Sequence, residues 1–215
     1  MSLGASEDEL VILVGRGDEN ALAELFAIHR DRLWKLVAFR MDTRLRGRVD
    51  VDDVLQEVWL SASQRISHFL TDASRSVFVW FRLITCQTLV DLHRRHLGAK
   101  KRSAACEFSI ETGWRAASTS SSLYFHLQGT LTSPSEAAVR AERASQLSNA
   151  LEALRDIDRE VVALRHFEQL TNRETAQVLG ISEQAASDRY IRVLGRLRSS
   201  LGDQAMKLLV HNQNM

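Results

Sequence analysis

A single proline, Pro134, interrupts a chain of 215 residues. Proline fixes φ and removes a backbone donor, so it is barred from helix interiors and common in turns and loops. Average usage is about 5%. A chain almost without it is expected to be all-α. Hydrophobic residues at 45% and charged residues at 26% give the balance of a folded globular chain, not a disordered one. No run approaches the roughly 20 apolar residues that cross a bilayer. The start, MSLGASEDEL, lacks the basic flank and apolar block of a secretory signal. Cys86 and Cys106 form no CxxC pair and suggest a reducing compartment, so a cytoplasmic location is expected.

The formal net charge of +1 argues against an indiscriminate nucleic-acid binder. Its distribution is uneven. Arg82, Arg94, Arg95, Lys100, Lys101 and Arg102 face only Asp91 in sequence, and Arg189, Arg192, Arg196 and Arg198 face no acid between them. Asp50, Asp52, Asp53 and Glu57 form the opposite patch. Separate basic and acidic patches imply two kinds of partner.

Apolar spacing predicts helices through Leu22, Leu25, Phe26, Leu33, Leu36 and Val37, and again through Val51, Val54, Leu55, Val58, Trp59 and Ala62. A polar break over His68–Ser76 precedes a third helix from about Val77 to His96, with Phe78, Phe81, Leu89 and Leu92 inside. Residues 1–102 therefore read as a first small helical domain. From Ser103 to Ser133 periodicity dissolves into a Ser/Thr-rich stretch ending at Pro134. A structureless run of that length is a linker rather than an internal loop, giving a spacer over 103–134. Helical spacing returns with Leu147, Leu151, Leu154, Ile157, Val161 and Leu164, so 135–215 reads as a second domain.

The strongest local signal is LTNRETAQVLGISEQAASDRYIRVLGRLRSSL. Thr171 and Glu174 have capping-box spacing, Ala176 is small where helices cross, Gly180 supplies a sharp turn, and Ser182 can cap a second helix. Together they predict a helix-turn-helix, whose second helix enters the DNA major groove. Glu183, Gln184 and Ser187 lie near the start of that helix, where base edges are read; Gln suits adenine and Glu suits cytosine. Arg189, Arg192 and Arg196 recur at helical spacing and can grip phosphates, which positions the helix without reading sequence. A helical hairpin with a solvated arginine face is the plainer alternative. Caps, turn glycine and basic face together favour DNA.

Through these motifs the chain resembles the small extracytoplasmic-function (ECF) sigma factors of bacterial RNA polymerase. DREVVALRHFEQLTNRETAQVLGIS (158–182) is similar to the opening of the family's fourth region. ENALAELFAIHRDRLWKLV (19–37), DVLQEVWL (53–60) and FVWFRLITCQTLVDLHRRH (78–96) are similar to its second. The resemblance implies a non-enzymatic factor with no cofactor or metal, whose partners are core RNA polymerase, promoter DNA and, in many family members, an anti-sigma factor. It assigns Asp53, Gln56 and Glu57, at i, i+3 and i+4 on one helix face, to polymerase docking. It assigns Arg82, Gln87, Arg94 and Arg95 to reading and melting the minus-ten element, with Phe69 as a further candidate and Trp80 expected to be buried, since aromatics at this spacing are more often core. Arg173, Ser182, Glu183, Gln184, Ser187, Arg189 and Arg192 then contact the minus-thirty-five element. Gln87 stands where the family commonly has Asn, and Ser187 and Asp188 where it often has Lys and Ser, so promoter sequence does not transfer.

Two promoter elements two helical turns apart lie about 70 Å from each other. The linker reaches about 100 Å when extended but only about 30 Å as a free coil. The two halves are therefore expected to sit closer in the free chain than on polymerase, with freedom to pack together and cover their basic faces. The segment SLYFHLQG within the linker is the expected docking piece.

Two rival functions remain. An ordinary helix-turn-helix regulator explains the C-terminal half but leaves the acidic helix without a purpose, and no heptad run for dimerisation is evident. A metal-dependent hydrolase built on Asp91, His93 and His96 lacks a recognised ligand spacing and sits among arginines.

Overall fold

The computed structural model describes residues 5–42, 44–71, 75–97, 146 and 149–211. The predicted linker, SLYFHLQG and Leu147 lie outside them. Among the described residues every regular element is helical.

Helix α1, Glu7–Gly15, is absent from the periodicity reading. Its start is a full capping box, with the Ser6 side chain accepting from Glu9 N–H and the Glu9 carboxylate accepting from Ser6 N–H at 2.8 Å. Helix α2, Glu19–Arg40, is capped by Asp18, whose carboxylate accepts from Asn20 and Ala21 N–H. Helix α3 spans Val51–Thr71 and α4 spans Val77–Leu97. The break expected from His68 is shorter than the sequence suggested, because α3 runs on to Thr71. Phe69 supplies the reason: it is buried and packs on Trp80 of α4 at 4.9 Å, so its turn is held by the core.

In the C-terminal half the apolar run from Leu151 to Leu164 is not one helix. A turn at Ala153 and a bend at Leu154 precede α5, Asp156–Val162, which passes directly into a π-helical turn, Ala163–Phe167. There Glu168 N–H donates to Ala163 C=O at 3.1 Å. Helices α6, Asn172–Leu179, and α7, Glu183–His211, follow.

Leu25, Leu33, Leu36, Val54, Val58, Phe78, Phe81 and Leu89 form the centre of the larger core, between α2, α3 and α4. That core also includes Leu164, Leu170 and Val178 from the other half of the chain. Conversely, Phe39 of α2 belongs to the smaller core of Leu151, Leu154, Val162, Phe167, Val193 and Leu197. Phe39 and Phe167 stack at 4.6 Å and 16°. The two halves are packed together in this structure. No helix among the described residues is long and apolar enough to cross a membrane.

Candidate nucleic-acid and partner interfaces

The helix-turn-helix forms as its local chemistry requires. Thr171 and Glu174 make the capping box, with Thr171 N–H donating to the Glu174 carboxylate at 2.7 Å. Gly180 ends α6 in the left-handed region at φ 62°, a conformation a side chain would strain. Ser182 Oγ accepts from Ala185 N–H at 3.2 Å and starts α7. Asn172 ties the two helices together by donating to Glu183 C=O at 2.8 Å. Ala176 is buried at the crossing.

Arg173, Ser182, Glu183, Gln184 and Arg192 are exposed, while Ser187 and Arg189 are half-buried. The expectation that packing covers both basic faces therefore fails at this helix: Glu183, Gln184 and Arg192 stay open to solvent. Gln184 donates its amide to Asp188 at 2.8 Å, one turn on. Arg189 donates to buried Asp158 at 3.3 Å, which also holds Arg155 at 3.0 Å. In this structure Arg189 braces α7 against α5, leaving Arg192 as the more open cation.

On α3, Asp53 and Gln56 are exposed and Glu57 is half-buried, on one face. Leu60, 59% exposed, continues that face one turn further and was missed by sequence reasoning. Its signal was an apolar residue at i+7 of an acidic stripe. Glu57 is ion-paired with Arg95 of α4, and the Asp53 carboxylate accepts from Asp50 N–H at 3.2 Å. Arg94 and Arg95 are exposed; half-buried Gln87 accepts from Arg65. Trp80 is buried, as its spacing suggested, and Phe69 is buried against it, so Phe69 presents no face on which a base can stack here.

Arg82 is the residue whose surroundings differ most from expectation. Only 3% exposed, it joins Arg40, Glu160 and Glu168 in a buried quartet at the junction of the halves. Arg82 Nε donates to Glu168 Oε2 at 2.6 Å, and Arg40 Nε donates to Glu168 Oε1 at 2.6 Å. Both guanidinium groups also reach Glu160 Oε1, from Arg40 Nη2 at 2.6 Å and Arg82 Nη2 at 3.4 Å. Burial alone would raise the Glu168 carboxyl, but Arg40 and Arg82 beside it hold it below the usual carboxylate range. Burial likewise disfavours the Arg82 charge, yet Glu168 keeps its pKa above the ordinary guanidinium value. A second link joins Arg32 to Glu174 at 2.8 Å, and a third runs from Ser76 N–H to Gln177 Oε1 at 3.3 Å.

His93 faces Asp42 at 3.3 Å beside Arg44. Among the described residues no three His, Cys, Asp or Glu side chains are grouped as a metal ion would need.

Residues 150–199 match the family model described as Sigma-70, region 4. The chain is 24% identical over 191 residues to the ECF RNA polymerase sigma factor SigW of Bacillus subtilis, covering 88% of this chain and 94% of that protein. It is 26% identical over 205 residues to the ECF RNA polymerase sigma factor SigD of Mycobacterium tuberculosis, covering 94% and 88%. Among solved structures, CnrH in complex with the cytosolic domain of CnrY is 22% identical with a TM-score of 0.48, over 90% of this chain and 95% of that one.

Proposed function

We propose that this chain, which belongs to the ECF sigma factors, carries core RNA polymerase to its promoters from two surfaces and helps open the minus-ten element. The observation that carries the reading is the helix-turn-helix within residues 150–199, whose exposed Glu183, Gln184 and Arg192 suit a major groove. A separate acidic stripe occupies α3 of the same chain. An ordinary regulator needs only the first of these surfaces.

Gln184 reads adenine through a paired donor and acceptor, and Glu183 accepts from a cytosine amino group. Arg173, Arg189 and Arg192 hold phosphates and set register. Asp53, Gln56 and Glu57 dock on a basic face of polymerase, with Leu60 as an apolar contact beside them. Glu57 and Arg95 neutralise each other in the free chain, so docking Glu57 on polymerase frees Arg95 for a phosphate. Arg82, Gln87 and Arg94 act on the melted strand, where extruded bases are held by edge contacts. The setting is the cytoplasm, and an anti-sigma factor is the partner expected to restrain the protein.

The test is core-polymerase co-purification with Asp53→Arg combined with Glu57→Arg. Asp53 is exposed, where substitutions typically cost within about 0.5 kcal/mol, and Glu57 gives up its surface ion pair with Arg95. The expected result is loss of polymerase from a chain that still unfolds cooperatively, with a modestly lowered thermal midpoint. Full retention of polymerase removes the docking role.

A further inference from the structure

We propose that Arg40 and Arg82 together form one anion site on the N-terminal half, occupied by Glu160 and Glu168 in the closed chain and by promoter-strand phosphate once the halves part. This rests on the promoter-opening reading above and adds Arg40, which no sequence motif marked.

The geometry is that of a site rather than two separate ion pairs. The two arginines come from neighbouring helices, α2 and α4, yet converge on the same carboxylates. Each gives its Nε to a different oxygen of Glu168 at 2.6 Å, and each gives an Nη2 to Glu160 Oε1. Arg40 and Arg82 are both buried, with the Arg40 guanidinium 5.2 Å from the Phe39 ring. Two guanidinium groups held this close repel unless an anion lies between them. When Glu160 and Glu168 withdraw with their half, an acceptor of about the same charge is needed in their place. Phosphate offers it, because the arginine fork matches carboxylate and phosphate oxygens alike. The same helix continues to exposed Arg94 and Arg95, about 18 Å along its axis from Arg82, a few nucleotides further along a strand.

Occupancy and domain opening are then one event. In the closed chain the helix-turn-helix stays exposed but is held against the N-terminal half by the quartet, by Arg32–Glu174 and by the Phe39–Phe167 stack. Elements about 70 Å apart cannot both be reached from that arrangement. Nucleic acid that takes the arginines must displace the carboxylates, so the apparent affinity of the free chain is lowered by the fraction of molecules that are open.

The experiment uses the full-length chain, a fluorescent mixed-sequence single-stranded DNA 20-mer, and distance labels placed through unnatural amino acids at Gln64 and Ser200. Glu160→Gln with Glu168→Gln should lengthen the label separation and tighten oligonucleotide binding at least tenfold. The salt dependence should steepen by roughly 1.4, the value for two added phosphate contacts on a single strand. Adding Arg40→Ala to that variant should cut the added slope to about 0.7, and adding Arg82→Ala as well should cancel the gain. A control of equal net charge, Glu24→Gln with Asp31→Asn at exposed positions, should stay within twofold of the unaltered chain. Arg40→Glu alone should open the halves without tightening DNA binding, and Arg40→Glu with Glu160→Arg should close them again, which keeps the test available if the double glutamine variant fails to fold. A folded double glutamine variant with unaltered affinity overturns the proposal, as does a gain undiminished by Arg40→Ala or an Arg40→Glu chain that stays closed. Co-purification of the unaltered chain with core polymerase, run in parallel, reports separately on the sigma-factor reading.

Discussion

Lowering the pH should weaken the C-terminal half well before its carboxylates titrate, through His166. This residue lies buried in the π-helical turn, with Nε2 at 2.9 Å from the Tyr190 hydroxyl of α7 and no partner for Nδ1 among the described residues. Burial, reinforced by neighbouring Arg165, pushes its pKa from 6.5 down to about 4. In the unfolded chain it titrates near about 6.5. Between the two values the unfolded chain holds a proton that the folded chain refuses, so stability falls as pH drops from about 6.5 towards 4. At about 1.36 kcal/mol per pH unit, the loss by pH 5 is about 2 kcal/mol. His29 is also depressed, by burial first and by Arg32, and adds in the same direction. The assay is urea unfolding at pH 7.5, 6.5, 5.5 and 5.0 for the natural chain and His166→Gln. Whatever the substitution costs at pH 7.5, that difference should shrink by about 2 kcal/mol at pH 5. A difference independent of pH, or a His166 ring signal titrating near 6.5 in the folded protein, would refute the reasoning.

Gly180→Ala should destabilise the helix-turn-helix by about 1–2 kcal/mol through left-handed strain alone, because open space surrounds the missing Cβ; thermal unfolding measures it. Thr171→Ala should cost about 1 kcal/mol by removing the α6 cap, read by the same assay. Gln184→Ala should relax preference at one or two upstream base positions, whereas Arg192→Ala should weaken binding to all sequences and reduce the salt slope. Promoter-variant transcription across salt separates the two, and exchanged phenotypes would mean the recognition helix is rotated from the orientation described. Leu60→Asp should reduce polymerase co-purification without altering unfolding; equal recovery would confine docking to the acidic residues.

The parts of this structure legible in sequence are those whose causes are local. Thr171, Glu174, Gly180 and Ser182 act within one or two turns of chain, so spacing alone located the helix-turn-helix. Helices α2 and α4 followed from apolar stripes several turns long. Helix α1 did not, since its VILV run carries little 3.6-residue periodicity and only Leu10 and Val14 are buried; its Ser6–Glu9 capping box was the readable clue. The quartet was invisible for a different reason. Arg40 and Glu160 are 120 residues apart, and nothing in either segment names the other. A hint was present, however. Arg82 falls four residues after buried Phe78 and Arg40 three after buried Val37, so both charges occupy positions that helical spacing turns inward. A buried charge needs a partner, and that partner lay beyond the linker.

The central claim, that this chain directs core polymerase to promoters, is tested most directly by transcription from sheared genomic DNA. Purified core polymerase would be used with and without the chain, and transcript 5′ ends sequenced. The account predicts a new set of start sites sharing one motif near minus ten and another near minus thirty-five, lost with Asp53→Arg and Glu57→Arg. Start sites identical to those of core polymerase alone would contradict it.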